Sequence, residues 1–383
     1  MIEKTKYASL YINELPEGCK LCVKGQKTVI FVTGLCSQNC FYCPLSEQKK
    51  NKDVIYINEM PLDNEDDFDS IIEEAESHNS LGAGITGGDP LVKLDRTVKI
   101  IKKLKEHFGK KYHIHLYTPL TLVDEEKLKA LCDAGLDEIR FHPDIFNEKL
   151  WDRISIAKKF NWDVGIEIPV IPGAEDKTIK LLDFVKDKVD FINLNELEYS
   201  DTNATKLSEK GFFTKNDLSY AIKGSELSAK KLLTFINKKI YPYYKIKCHF
   251  CTATTKDKFQ LRNRMKLKAK NIKLPVDLVS KDGMLMRGCI YLRSMFDENY
   301  RKVNLEEKGI TGEEIISKLK NAKQELSKVF KKKIYLDLDK KRLIVEPKKL
   351  ISHLDEIPEK YICALVEEYP TFDKLEVTVN FLN

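Results

Sequence analysis

From residue 28 to residue 200 the chain alternates between two hydrophobic periods. Short β-branched and aromatic runs are followed by longer stretches with apolar residues at helical spacing. The runs Thr28–Thr33, Ala83–Thr86, Tyr112–Thr118, Glu138–His142, Asp163–Val170 and Phe191–Glu198 read as strands. The stretches Asn64–His78, Val92–Phe108, Asp124–Ala134, Asn147–Phe160 and Glu175–Lys186 read as helices. Asn64 before the acidic "EDD" fits an N-cap, and Gly109 and Gly135 fit C-terminal stops. Strict alternation implies parallel βα units with right-handed crossovers, hence an α/β fold: an open doubly wound sheet or a partial (βα)6 barrel. In either, function gathers at the carboxyl ends of the strands. "TGLCSQNC", "GGDP", "YTPL" and "HPD" follow the first four strands at that end.

After Ser200 the alternation stops. Residues 201–270 hold a helix (Ser225–Lys239), the aromatic run "YPYYKIKCHFC" and the basic "QLRNRMKLKAK", which fits a strand or a helix. Residues 271–383 read as a small α+β extension, with strands at Ile334–Leu338, Arg342–Val345 and Leu375–Phe381 and a helix near Glu313–Phe330. The expected organisation is a cysteine-containing segment (1–27), a barrel (28–200), a basic segment packing with the N-terminus (201–270) and the extension (271–383).

The longest apolar run, Val29–Val32, is far too short to span a bilayer, and the polar N-terminus has no signal-peptide core. The expectation is a cytoplasmic protein with no membrane partner. The net charge of +6 is unevenly spread: residues 202–273 carry +14 and the remainder −8. Such a block, with Tyr241, Tyr243, Tyr244 and Phe250, is what an RNA-tracking surface needs.

The ten cysteines are clustered, which in a reducing compartment indicates metal or catalytic sites. Cys36, Cys40 and Cys43 lie directly after the first strand. Three thiolates hold zinc with a water, or three irons of a four-iron cluster with the fourth iron open. No histidine stands near the loop. Cys19, Cys22, Cys248 and Cys251 form two CxxC pairs, a complete four-thiolate set for structural zinc or a second iron–sulfur cluster. A six-residue strand rises about 20 Å. This site is therefore expected at the far end of the barrel, stapling the N-terminus to the segment near residue 250.

Cys36-x3-Cys40-x2-Cys43 with Tyr42 before the last cysteine, followed 44 residues later by "GGDP", resembles the radical S-adenosylmethionine (SAM) superfamily. Asp89 stands where that family usually has glutamate. "GCKLCVKGQKTVIFVTGLCSQNCFYCPLS", "GAGITGGDPL", "HIHLYT" and "KCHFC" resemble, more narrowly, an archaeal group of such proteins related to the pyruvate formate-lyase activating enzyme. The resemblance implies a partial barrel with a [4Fe-4S] cluster on Cys36, Cys40 and Cys43. It implies SAM chelating the open iron, with the backbone of Gly87 and Gly88 at its amino group and that of Tyr42 at adenine. Reduction by a ferredoxin- or flavodoxin-type donor would release a 5′-deoxyadenosyl radical. Asp89, Arg140, His142 and Glu167 are further candidates for cofactor binding, Arg140 as a cation for the methionine carboxylate. His115 and Tyr117 share a strand face that could point inward. The substrate expected from charge is an RNA or another polyanion. The alternatives are a glycyl-radical-enzyme activase or other protein or small-molecule modifier, and a noncatalytic zinc-binding nucleic-acid module.

Overall fold

A computed structural model describes residues 1–304, 309 and 311–383. The chain divides into two compact units, Met1–Arg264 and Met265–Asn383.

The first unit is built on one eleven-stranded sheet. Its strands are β1 (Ile2–Lys4), β2 (Leu10–Ile12), β3 (Lys27–Phe31), β4 (Ile55–Ile57), β5 (Met60–Leu62), β6 (Gly82–Thr86), β7 (His113–Pro119), β8 (Glu138–His142), β9 (Asp163–Val170), β10 (Phe191–Glu196) and β11 (Lys247–Cys251). They lie in the order β1-β2-β11-β10-β9-β8-β7-β6-β3-β4-β5. The strands from β11 to β3 run parallel. Antiparallel hairpins pair at both edges, β2 on β11 and β4 on β3. Among the helices are α1 (Glu17–Cys22), α2 (Phe68–Ser77), α3 (Leu94–Phe108), α4 (Glu125–Ala134) and α5 (Glu175–Val185).

Six parallel strands were expected and seven form. Lys247–Cys251 lies beyond the alternating region, yet it pairs in register with Phe191–Asn195. Its neighbours on both sides supply the ladder that its short, mixed sequence does not advertise. The basic run resolves as a helix, Arg262–Ile272. The helix after Asn64 begins only at Phe68, because Asp67 accepts from the Ser70 N–H at 3.1 Å and takes the N-cap. The stretch near residue 150 winds as a three-ten helix, Glu148–Lys159. Gly109 and Gly135 do end their helices, at φ of 82° and 103°.

Alternation along the parallel strands sorts side chains by chemistry. One set is apolar and buried in the main core: Ile114 and Leu116, Ile139 and Phe141, Ile166 and Ile168, Ile192 and Leu194, Cys248 and Phe250. The opposite set is polar: His115 and Tyr117, Glu138 and Arg140, Glu167, Asn193 and Asn195, His249 and Cys251. This polar face lines the inside of the barrel. Helix α1 lies at the amino ends of the strands, where the Gly18 N–H donates to Glu138 at 3.1 Å. A Cβ on Gly18 would stand 2.4 Å from the Arg140 guanidinium, so only glycine lets the helix approach this closely.

The second unit is an antiparallel sheet of β12 (Leu278–Val279), β13 (Leu285–Leu292), β14 (Tyr335–Asp337), β15 (Arg342–Val345), β16 (Tyr361–Glu368) and β17 (Glu376–Phe381). The central pair, β13 and β16, was not anticipated. Both are nearly continuous apolar runs without clean alternation, a pattern that periodicity reads poorly. Helix Gly312–Leu326 buries Ile315, Leu319, Ala322 and Leu326 in this unit's core. Arg342 is fully buried and bonds Asp337 and Glu376, each at 3.0 Å, and also Glu368, which Arg287 shares. Removing one partner from such a network strands the remaining charges. Arg342→Met is expected to destabilise this unit by about 3–5 kcal/mol, read as a lowered urea midpoint of the full chain. A midpoint equal to wild type would show that the network contributes nothing.

Candidate active site

The loop leaving β3 carries the three clustered cysteines. Its base is tied to the glycine turn after β6. The Gly88 N–H donates to the Thr33 carbonyl and the Asp89 N–H to the Leu35 carbonyl, both at 2.8 Å. A Cβ on Gly87 would lie 2.5 Å from the Thr33 oxygen, and one on Gly88 2.3 Å from the Leu35 oxygen. Both glycines are therefore required by close backbone approach. With these N–H groups turned toward the loop, recognition of an ammonium falls to carbonyl oxygens, the polarity a methionine amino group needs. Asp89 is fully buried and caps the short helix Pro90–Lys93. One carboxylate oxygen accepts from the Leu91 N–H at 3.0 Å and from Thr118 at 2.9 Å; the other has no partner.

Cys36, Cys40 and Cys43 are each partly exposed. Burial pushes Cys36 up to about 11 and also raises Cys40. Each thiol lies within electrostatic reach of the others, although among the described residues no three metal-binding side chains stand at closed ligand spacing. Ligation deprotonates the thiols, so binding a metal there releases protons. The donor set, the glycine cradle and the open oxygen of Asp89 together fit an iron–sulfur cluster with an amino-acid ligand beside it.

Tyr42 is buried, and its hydroxyl lies 3.1 Å from His142 Nε2. His142 Nδ1 lies 2.8 Å from the Glu167 carbonyl, which can only accept. Nδ1 therefore carries the proton, and Nε2 accepts from Tyr42. Burial lowers the His142 pKa, in keeping with that neutral form.

A second support was not legible in the sequence. Asn203 Nδ2 donates to the Tyr42 carbonyl at 3.1 Å and to the Glu198 carbonyl at 3.0 Å. Thr202 donates to the Leu45 carbonyl and, at 3.3 Å, to that of Cys43. On the other flank Gln38 donates to Thr121 at 2.9 Å. "DTNAT" carries no motif, so only the fold reveals that it buttresses the cysteine loop.

Arg140 and Glu167 lie deeper. The Arg140 guanidinium, 2% exposed, pairs with Glu138, donates to Glu167 at 2.8 Å and to Tyr117 at 3.0 Å, and approaches Cys19 Sγ at 3.6 Å. Glu167 also accepts from Asn193 at 2.9 Å and Asn195 at 2.8 Å. The Arg140 charge, expected at a ligand carboxylate, is balanced within the barrel by the carboxylates of Glu138 and Glu167. His115 contacts Tyr117 at 3.1 Å inside the barrel.

The four-thiolate set also needs correction. Cys248 and Cys251 are three apart on a strand, so they face opposite ways. Cys248 sits in the apolar core, whereas Cys251 joins the inner, polar face with Cys19.

A sequence profile of the Radical SAM superfamily matches residues 30–185. A Methanocaldococcus jannaschii protein, MJ0021, is 40% identical over 384 residues, covering 98% of this chain and 95% of that one; its name assigns it provisionally as a glycyl-radical enzyme activating enzyme. The chain belongs to the radical SAM superfamily. A GTP 3′,8-cyclase of Limosilactobacillus fermentum is 28% identical over 188 residues, 44% of this chain and 53% of the other. Among solved structures, Streptococcus suis SuiB bound to S-adenosylmethionine aligns over 61% of this chain and 53% of its own, at 14% identity and a TM-score of 0.42. Methylornithine synthase aligns over 58% and 70%, at 16% identity and a TM-score of 0.37. Membership of the radical SAM superfamily makes the chain an enzyme that uses a [4Fe-4S] cluster and SAM. No helix among the described residues is long and apolar enough to cross a membrane.

Two outcomes follow for this radical SAM site. Gly88→Val is expected to push the turn off Leu35 and slow reductive SAM cleavage about a hundredfold, with iron content unchanged. Unchanged cleavage would show that the turn does not position SAM. Glu138 supplies a pH dependence. Burial pushes its carboxyl up, but Arg140 and His113 outweigh burial and bring it down to about 2. A carboxyl depressed in the fold adds stability above its unfolded pKa, near 4.5, and loses it as the pH falls toward 2. Denaturation midpoints between pH 6 and 2.5, roughly that window, are expected to fall steeply in wild type and more gently in Glu138→Gln. Equal slopes would assign the acid sensitivity elsewhere.

Proposed function

We propose that this chain is a hydrogen-abstracting radical SAM enzyme whose substrate is a polypeptide, an activity of the glycyl-radical activase kind. The observation that carries this reading is the relative named for such activation, which aligns over 98% of the chain and so extends well beyond residues 30–185.

The charges in place favour a polypeptide over RNA. Several cations of the basic segment are matched by acids, most of them from outside it. Lys215 pairs with Glu196 and Glu226, Lys231 with Glu175, Lys247 with Glu14, Lys256 with Glu198, and Arg264 with Glu59. Lys268 is buried. The excess of +14 is therefore partly offset by acids of the remainder of the sequence, which weakens it as a phosphate-tracking surface.

Cys36, Cys40 and Cys43 would hold the cluster, and Gly87, Gly88, Asp89 and Tyr42 would frame SAM. Bound there and reduced by a ferredoxin- or flavodoxin-type donor, the cluster and SAM would supply the one-electron chemistry for hydrogen abstraction from substrate. The chain's own part is to position and enclose. The Tyr42–His142–Glu167 relay fixes the aromatic beside the last cysteine, Asn203 and Thr202 clamp the loop, and α1 shields the amino end of the barrel from water.

The test is 5′-deoxyadenosine formation by reconstituted protein with dithionite under anaerobic conditions. Cys40→Ala is expected to abolish it. A host extract is expected to raise the rate in wild type, with the stimulus surviving ribonuclease and lost on protease treatment. Loss with ribonuclease alone would overturn the polypeptide reading in favour of RNA.

A further inference from the structure

The floor of the barrel contains a group of donors that the radical chemistry does not use. Cys19 and Cys22 lie three apart on α1, on one helical face. Cys19 Sγ accepts from Asn193 Nδ2 at 3.4 Å. On the neighbouring strand His249 is the register partner of Asn193, and Cys251 that of Asn195. Both asparagines bond the half-buried Glu167, so Cys19, His249 and Cys251 are linked to one carboxylate through them.

His249 is the decisive residue. It is 1% exposed, and neither ring nitrogen has a hydrogen-bond partner. A buried polar group left unpaired costs about 1–3 kcal/mol, and His249 leaves two atoms so. The adjacent Asn193 Oδ1 is also buried without a partner. An unpartnered buried imidazole on the same strand face as Cys251, opposite the asparagine that bonds Cys19, is a metal ligand by chemistry.

We propose that Cys19, Cys22, Cys251 and His249 bind one zinc ion inside the barrel, with Cys248 excluded. Three sulfurs and one imidazole nitrogen form a closed tetrahedral set of the kind that structural zinc takes. The Arg140 guanidinium, 3.6 Å from Cys19 Sγ, offsets the surplus negative charge of three thiolates. Among the described residues these donors do not yet stand at closed ligand spacing, so the ion draws the side chains together on binding. Its place is the barrel interior, where it joins the N-terminal helix to β11 beneath the active site.

The test isolates this site from the radical cluster. The full chain with Cys36, Cys40 and Cys43 all changed to serine is purified without oxygen, stripped with chelator and titrated with Co²⁺ as a spectroscopic stand-in for Zn²⁺. The expected result is one ion per chain, with intense tetrahedral visible bands, sulfur-to-cobalt charge transfer, and displacement by Zn²⁺. Adding His249→Ala or Cys251→Ser is expected to weaken binding by at least about tenfold and change the visible spectrum. His249→Cys restores tight binding with stronger charge transfer, and Cys248→Ser leaves affinity and spectrum unchanged. Circular dichroism of each variant separates lost binding from lost folding. The proposal is overturned if Cys248→Ser weakens binding as much as Cys251→Ser, or if the folded parent retains no Co²⁺. It is equally overturned if the site takes up iron with sulfide in place of zinc. None of these results depends on the identity of the substrate.

Discussion

Inside the barrel, one guanidinium answers to four strands and a helix. Arg140 on β8 engages Glu138 on its own strand, Tyr117 on β7, Glu167 on β9, and Cys19 on α1; Glu167 in turn holds Asn193 and Asn195 on β10. A charge this deeply buried persists only when its partners are complete. The network therefore fixes the register of adjacent strands and seats α1 against their amino ends. With that end closed, the carboxyl ends become the open face, and the cysteine loop lies there.

The same polar interior accounts for the division of labour among inward-facing residues. His142 lies at the end of β8, close enough to orient Tyr42. Arg140, two residues earlier, is committed to carboxylates. Proximity in sequence made the two look like one ligand-binding pair, but alternate positions along a strand stand at different depths. The cysteines divide similarly: those in the loop after β3 can follow a cofactor, whereas those on α1 and β11 are held by secondary structure.

Electrostatic balance recurs on a larger scale. Acidic residues from the rest of the first unit meet the lysine-rich segment at Lys215, Lys231, Lys247, Lys256 and Arg264. In the second unit Arg287 and Arg342 share Glu368 within a buried sheet face. Neither pattern is visible in a charge count, which carries no information about which residues become neighbours.

The sequence by itself determined the βα alternation, the caps at Gly109 and Gly135, and the cysteine and glycine motifs at the strand ends. Each is a local matter of period, backbone freedom or fixed spacing. Only the tertiary structure decided that Lys247–Cys251 joins the sheet, that Asn203 and Thr202 brace the loop, that Arg140 is paired, and that His249 lies on the inner face while Cys248 lies in the apolar core. Those depend on strand register and on side-chain contacts between different elements, some of them, such as Asn203 on Tyr42, more than a hundred positions apart. A one-residue change of register would exchange the two faces of a strand without altering a single letter of the sequence.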